Sequence, residues 1–132
     1  MFVTFQQLLH KIKNGVTVEI ERRDQGTGWY DYGYKMSHAF IVGLKNRADN
    51  EEWDVMVLGY RRPNFSYGDQ FQTNIVLGIV FVSDGNHKLL MKVPYKRGFD
   101  KNLYKYQVHR FMQNYSKQWP TLDIRYQNVY RS

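Results

Sequence analysis

The sequence predicts an α+β fold, a small β-barrel carrying a helix near each end of the chain. Three observations predict it. A capping box opens an amphipathic segment at the start, β-branched and aromatic runs separated by turn residues fill the middle, and the hydrophobic period lengthens after Pro94. With 132 residues the chain has the length of one domain, 1–132, and no linker, repeat or low-complexity tract divides it.

Thr4, with Gln7 three residues on, caps a short helix whose apolar face is Phe5, Leu8, Leu9 and Ile12, and Asn14-Gly15 ends it. Val16 to Ile20 alternates as a strand. Asp24 to Gly28 is turn chemistry, and Trp29 to Tyr34 and His38 to Leu44 read as strands. Asn46 to Glu52 is a polar loop, and Trp53 to Tyr60 is a buried strand stopped by Arg61-Arg62-Pro63-Asn64. Gln70 to Ser83 reads as one long strand, Asp84-Gly85 as a hairpin turn, and Lys88 to Val93 as the return strand. Asp100 caps a helix in which Leu103, Val108, Phe111, Met112 and Tyr115 share a face and Lys101, Lys105 and Arg110 face solvent. Trp119-Pro120 ends it, and Leu122 to Val129 is a last strand.

The absence of cysteine excludes disulfides, thiolate metal sites and a cysteine nucleophile. The longest apolar run, Ile75 to Val82, is too short to cross a bilayer, and the first residues lack the pattern of a signal peptide, so the expectation is a cytoplasmic protein with no membrane partner. The net charge of +7 is unevenly placed: Met1 to Gly85 holds nine Lys/Arg against ten Asp/Glu, and Asn86 to Ser132 holds ten against two. Such a field favours polyanions, among them phosphates and nucleic acid. His10, His38, His87 and His109 have no metal-ligand spacing and read as surface or ordinary core residues, and neither G-x-S-x-G nor a P-loop occurs.

Four acids crowd the segment Ala48-Asp49-Asn50-Glu51-Glu52-Trp53-Asp54-Val55. In extended chain alternate side chains share a face, so Asp49 and Glu51 converge, with Asp54 just inside the following strand. Carboxylates that close repel unless a cation lies between them, and oxygen-only ligands suit Mg²⁺ or Mn²⁺. From spacing alone the stretch reads as a solvated acidic loop.

The same stretch resembles the signature of the soluble (family I) inorganic pyrophosphatases, D-[SGDN]-D-[PE]-[LIVMF]-D-[LIVMGAC]. Asp49, Asn50, Glu52, Asp54 and Val55 satisfy it, Glu51 replaces the central Asp, and Trp53 replaces an aliphatic residue. Other segments fall in family order. Val18-Glu19-Ile20 resembles the first-strand segment whose Glu lines the site, and Asp31-Tyr32-Gly33-Tyr34 resembles Asn-Tyr-Gly-Tyr, whose first Tyr contacts phosphate. Gly68 to Pro94 is similar to the family's long hairpin, supplying Gly78, Asp84, Lys88, Leu89, Val93 and Pro94, and Phe111 to Lys117 is similar to the final-helix motif that places Tyr and Lys on phosphate. In length the chain is similar to compact relatives encoded by phages.

The resemblance implies a small OB-like five-stranded barrel that hydrolyses pyrophosphate or another phosphorylated small molecule with Mg²⁺ or Mn²⁺. It implies Asp49, Asp54 and Asp84 as metal ligands, Glu51 as the base, and Lys88, Tyr32, Tyr115 and Lys117 on phosphate oxygens, with the acidic cluster facing the basic half. Glu19 would also bind substrate, and Arg22 or Arg23 would stand in for the family's Arg. Asn86 and His87 occupy the place of a second hairpin Asp, and Ser116 that of the Lys following Tyr115; with Glu51, these departures point to weakened hydrolysis. Asp84-Gly85 serves equally well as a simple turn. Two rival readings follow from the residues. One is a nucleic-acid or nucleotide module using Tyr104, Tyr106 and Tyr115 among Lys101, Lys105, Arg110 and Lys117, residues that equally make an aromatic core stripe with a solvated face. The other is a phage-type inhibitor of a host protein. The oligomeric state stays open.

Overall fold

The computed structural model describes residues 1–21, 37–61 and 65–130. The expected turn at Asp24 to Gly28, the strand at Trp29 to Tyr34 and the stop at Arg62 to Asn64 lie outside them. Among the described residues the order is α1 (Phe5–Lys13), β1 (Val16–Ile20), β2 (Ser37–Asn46), β3 (Glu51–Val57), β4 (Gln70–Thr73), β5 (Val76–Val82), β6 (Lys88–Met91), α2 (Lys101–Gln118) and β7 (Ile124–Asn128).

The strands form one seven-stranded sheet in the order β4-β1-β2-β3-β6-β5-β7. Neighbours are antiparallel except β3 and β6, which run parallel with Val55 opposite Leu89. β4 and β7 are the two edges, so the sheet is open and mixed, and the expected OB-like five-stranded barrel is not what the chain forms. The expected strand from Gln70 to Ser83 is broken at Asn74-Ile75, where the Thr73 hydroxyl accepts the Ile75 amide at 3.0 Å. β4 then pairs with β1, and β5 joins β6 in a different part of the sheet. The Asp84-Gly85 turn forms as expected, with Gly85 N–H on the Val82 carbonyl at 2.9 Å.

Both faces of the sheet are covered, and β3 shows why. Trp53, Val55 and Val57 join a core with Leu8 and Ile12 of α1, whereas Met56 and Leu58 join a second core with Tyr104, Val108 and Phe111 of α2. Alternation along the strand therefore assigns Asp54 to the α2 side. The cap of α1 is the one its sequence specifies: Thr4 Oγ1 accepts the Gln7 amide at 3.1 Å and Gln7 Oε1 the Thr4 amide at 2.8 Å. No helix of the described residues is long and apolar enough to cross a membrane.

The start of α2 is fastened to the far end of β3. Asp100 Oδ1 caps the helix through the Asn102 and Leu103 amides, at 2.9 and 3.1 Å. Asp100 N–H donates to the Gly59 carbonyl at 2.8 Å, and the Gly59 amide donates to Gln107 Oε1 at 2.7 Å. α2 then runs back along the sheet and brings Tyr115 to the end where β3 begins. Gly59 has φ +90°, and a Cβ there would lie 2.4 Å from the Phe99 ring. Gly59→Ala is expected to cost about 2–4 kcal/mol in urea unfolding, combining the left-handed penalty with a clash. Gly43→Ala, also at positive φ but with open space around it, is expected to cost about 1–2 kcal/mol. Equal losses would contradict the close-approach account.

Candidate functional site

The site is built at the N-terminal end of β3. The turn from β2 is held by Asn46, whose Nδ2 donates to the Gly85 carbonyl at 3.0 Å and whose Oδ1 accepts the Ala48 amide at 3.0 Å. Asn50 takes φ 60°, a conformation Asn tolerates. Asp49 Oδ1 accepts the Glu51 amide at 2.9 Å, and Glu52 Oε2 accepts the Gly43 amide at 2.6 Å. Asp49, Glu51, Glu52 and Asp54 line a single cavity of about 320 Å³ with Glu21, His38 and Phe40.

Asp54 is the centre of the charge arrangement. Parallel pairing of β3 and β6 sets Lys88, 5% exposed, beside it, with Nζ 2.6 Å from Oδ2. On β2, Phe40 is opposite Asp54 and His38 opposite Met56, so His38 reaches Asp54 diagonally across one face, Nε2 3.5 Å from Oδ1. The His38 Nδ1 contacts the Glu21 carboxylate. A chain of alternating acid and base, Glu21–His38–Asp54–Lys88, thus crosses the sheet. Burial pushes the Asp54 carboxyl up, but the hydrogen bond from His38 and the charges of Lys88 and His38 outweigh it and hold the group at about 2. On α2, burial and then the charges of Asp84 and Asp54 push the Tyr115 hydroxyl up to about 12, so it remains a donor at neutral pH.

Among the expected site residues, Asp49, Glu51 and Asp54 line one cavity without closing into a cluster, Lys88 pairs with Asp54 but does not line the cavity, and Tyr115, also outside the lining, feels the charges of Asp84 and Asp54. Asp84 is exposed in its turn, where Oδ1 accepts the Asn86 amide at 2.9 Å, and it is outside the cavity lining. Lys117 is exposed near the end of α2, and Glu19 on β1 accepts Gln70 Nε2 at 2.7 Å, also outside the lining. Tyr32, Arg22 and Arg23 are outside the described residues. The basic half does not face the acids as a block: Lys92 and Lys96 sit over Phe99 and Tyr60, beyond the opposite end of β3. His38 and Glu21 were not singled out by motif. The available signal was β2 alternation, which sets His38 and Phe40 on the face opposite Ala39 and Ile41.

The donors of the cavity are carboxylate oxygens, which fit a hard cation such as Mg²⁺ or Mn²⁺. Among the described residues no three Asp, Glu or His side chains form a ready-made cation cage. Of the three expected ligands, Asp49 and Asp54 would hold an ion in this cavity, with Asp54 already engaged by Lys88, while Asp84 lies outside it.

Because the folded Asp54 value lies below its ordinary 3.8, the stability it confers is complete above that value and is lost as pH falls through about 2. The loss is expected to be about 2 kcal/mol between about pH 4 and about pH 2. Lys88→Met removes one of the influences holding the group down, so the acid limb of urea stability is expected to move to higher pH. An unchanged acid limb would contradict the pairing.

No protein-family model matches the chain, and comparison with curated proteins gives no match, so its functional reading rests on these residues.

Proposed function

We propose that this chain is a divalent-cation-dependent phosphoanhydride hydrolase acting on inorganic pyrophosphate or a close relative, as its resemblance to the family I pyrophosphatases implies. One observation carries the reading. Two segments far apart in sequence, Asp49–Asp54 and Asp84–Lys88, meet at the start of β3 through Lys88 on Asp54, and the Tyr115 hydroxyl of α2 feels the charges of Asp84 and Asp54.

In this reading Asp49 and Asp54 would hold Mg²⁺ or Mn²⁺, which when bound would neutralise phosphate charge and acidify a water. Glu51, exposed at the start of β3, would take the proton of the attacking water as its oxygen bonds to one phosphorus, the bridging P–O bond breaks and two phosphates leave. The Lys88 ammonium has three donors, one of which Asp54 engages, so the others serve phosphate oxygens. Tyr115 donates its hydroxyl proton in a hydrogen bond to the same charge. Glu51 is a methylene longer than the family's Asp, and a misplacement of about 1 Å costs roughly 100-fold, so slow turnover is expected.

Phosphate release from pyrophosphate with Mg²⁺ or Mn²⁺ tests this. Asp54→Asn and Lys88→Gln are each expected to lower kcat by about 100-fold or more, and Tyr115→Phe by about tenfold, in variants whose circular dichroism matches the parent. Release equal in the parent and Asp54→Asn would overturn the assignment.

A polyanion-binding module is the second reading, favoured by the cationic, aromatic surface at the other end of β3. Lys92 Nζ is 5.0 Å from the Phe99 ring centre, Lys96 Nζ is 5.4 Å from that of Phe65, and Tyr95 nearby is 72% exposed. It predicts oligonucleotide affinity that falls steeply with salt. Absence of binding at low salt would eliminate it.

A further inference from the structure

A second cavity, of about 500 Å³, opens between the start of α1 and the β2–β3 turn. It lies on the other side of the sheet from Asp54, because Trp53 lines it and successive residues of β3 face opposite ways. The two cavities share that turn: Arg47 lines one and Asp49 the other.

Its walls are rings. Phe5 lies 5.5 Å from Trp53 and 4.9 Å from His87, centre to centre, and the planes of Trp53 and His87 are within 19° of parallel. Its polar groups include donors beside the Thr4, Gln7 and Asn46 side chains. The Trp53 indole N–H, in a residue 3% exposed, has no acceptor among the described residues, and because the nitrogen has no open surface a ligand acceptor reaches it only if the rings around it shift. His87 Nδ1 accepts the Val82 amide at 3.0 Å, which leaves the proton of the neutral ring on Nε2 as a further donor. Arg47 adds a positive charge, its guanidinium 4.7 Å from the Phe2 ring, and no carboxylate lines the cavity. Its size is that of a small-molecule site, and ring walls with a few donors are the usual composition of one.

We propose that this cavity takes the base of a nucleotide, so that the phosphoanhydride presented to the acidic cavity is carried on a nucleoside. The inference rests on the hydrolase reading for the fate of the phosphates, and on the Trp53 cavity alone for binding. A flat, acceptor-bearing ring meets Trp53 and His87, and its first phosphate meets Arg47 at the shared turn.

Trp29→Phe with Trp119→Phe leaves Trp53 as the single tryptophan, and its emission is titrated with ADP in the absence of metal. Saturable quenching is expected, weakened about tenfold by Arg47→Gln, with pyrophosphate alone leaving emission unchanged. Should the double variant fail to fold, calorimetric titration of the unaltered chain and of Arg47→Gln gives the same comparison. No saturable binding of ADP up to millimolar concentration, or binding that Arg47→Gln leaves untouched, overturns the inference. Turnover of pyrophosphate without ADP binding overturns it while leaving the hydrolase intact. ADP binding with no phosphate release from either substrate upholds the site and overturns the hydrolase.

Discussion

Lys88 lies 5% exposed beneath α2 with its ammonium on Asp54, and this pair constrains both the sheet and the site. A buried ammonium without a counter-charge is strongly destabilising, so β6 must lie against β3 in the register that sets Lys88 beside Asp54. A slip of one residue would turn Lys88 toward the apolar α1 core and Leu89 toward the acids. The same register carries Val55 opposite Leu89 in the hydrophobic layer below. Packing and charge therefore select one alignment, and His38 and Glu21 extend that alignment across β2 to the end of β1.

The polarity of the molecule follows from the direction of β3. Acids gather where the strand begins, and the lysines over Phe99, Tyr60 and Phe65 gather beyond its end, roughly 20 Å away for six extended residues. α2 spans the two ends. Its N-cap Asp100 and, in its second turn, Gln107 clamp it to Gly59, and its last turns bring Tyr115 toward the acidic end. The cationic half therefore reaches the acidic end through individual residues, Lys88 above all.

Local chemistry was legible in the sequence. The Thr4–Gln7 box, the Asp100 cap, the Asp84-Gly85 turn and the alternation of Val16 to Ile20 each depend on residues within a few positions of one another, and each forms as expected. Pairing between distant segments was not. Gln70 to Ser83 has continuous strand propensity, and only the contacts of Thr73 with Val16 and of Val76 with Met91 reveal that it serves two separate parts of the sheet. Closure into a barrel would require the edges β4 and β7 to meet, which no local pattern encodes. The acidic segment was legible as a cluster. His38 was not, because its partner Asp54 lies across a strand pair and no linear spacing links them.

The carboxylates at the start of β3 and the ammonium of Lys88 are proposed together as a metal and phosphate site. Crystals grown with Mn²⁺ and imidodiphosphate, a pyrophosphate analogue that resists hydrolysis, test it most directly through anomalous scattering. A manganese peak bounded by Asp49, Glu51 and Asp54 is expected, with analogue oxygens on Lys88. Manganese and analogue bound elsewhere, with that cavity holding water alone, would contradict it.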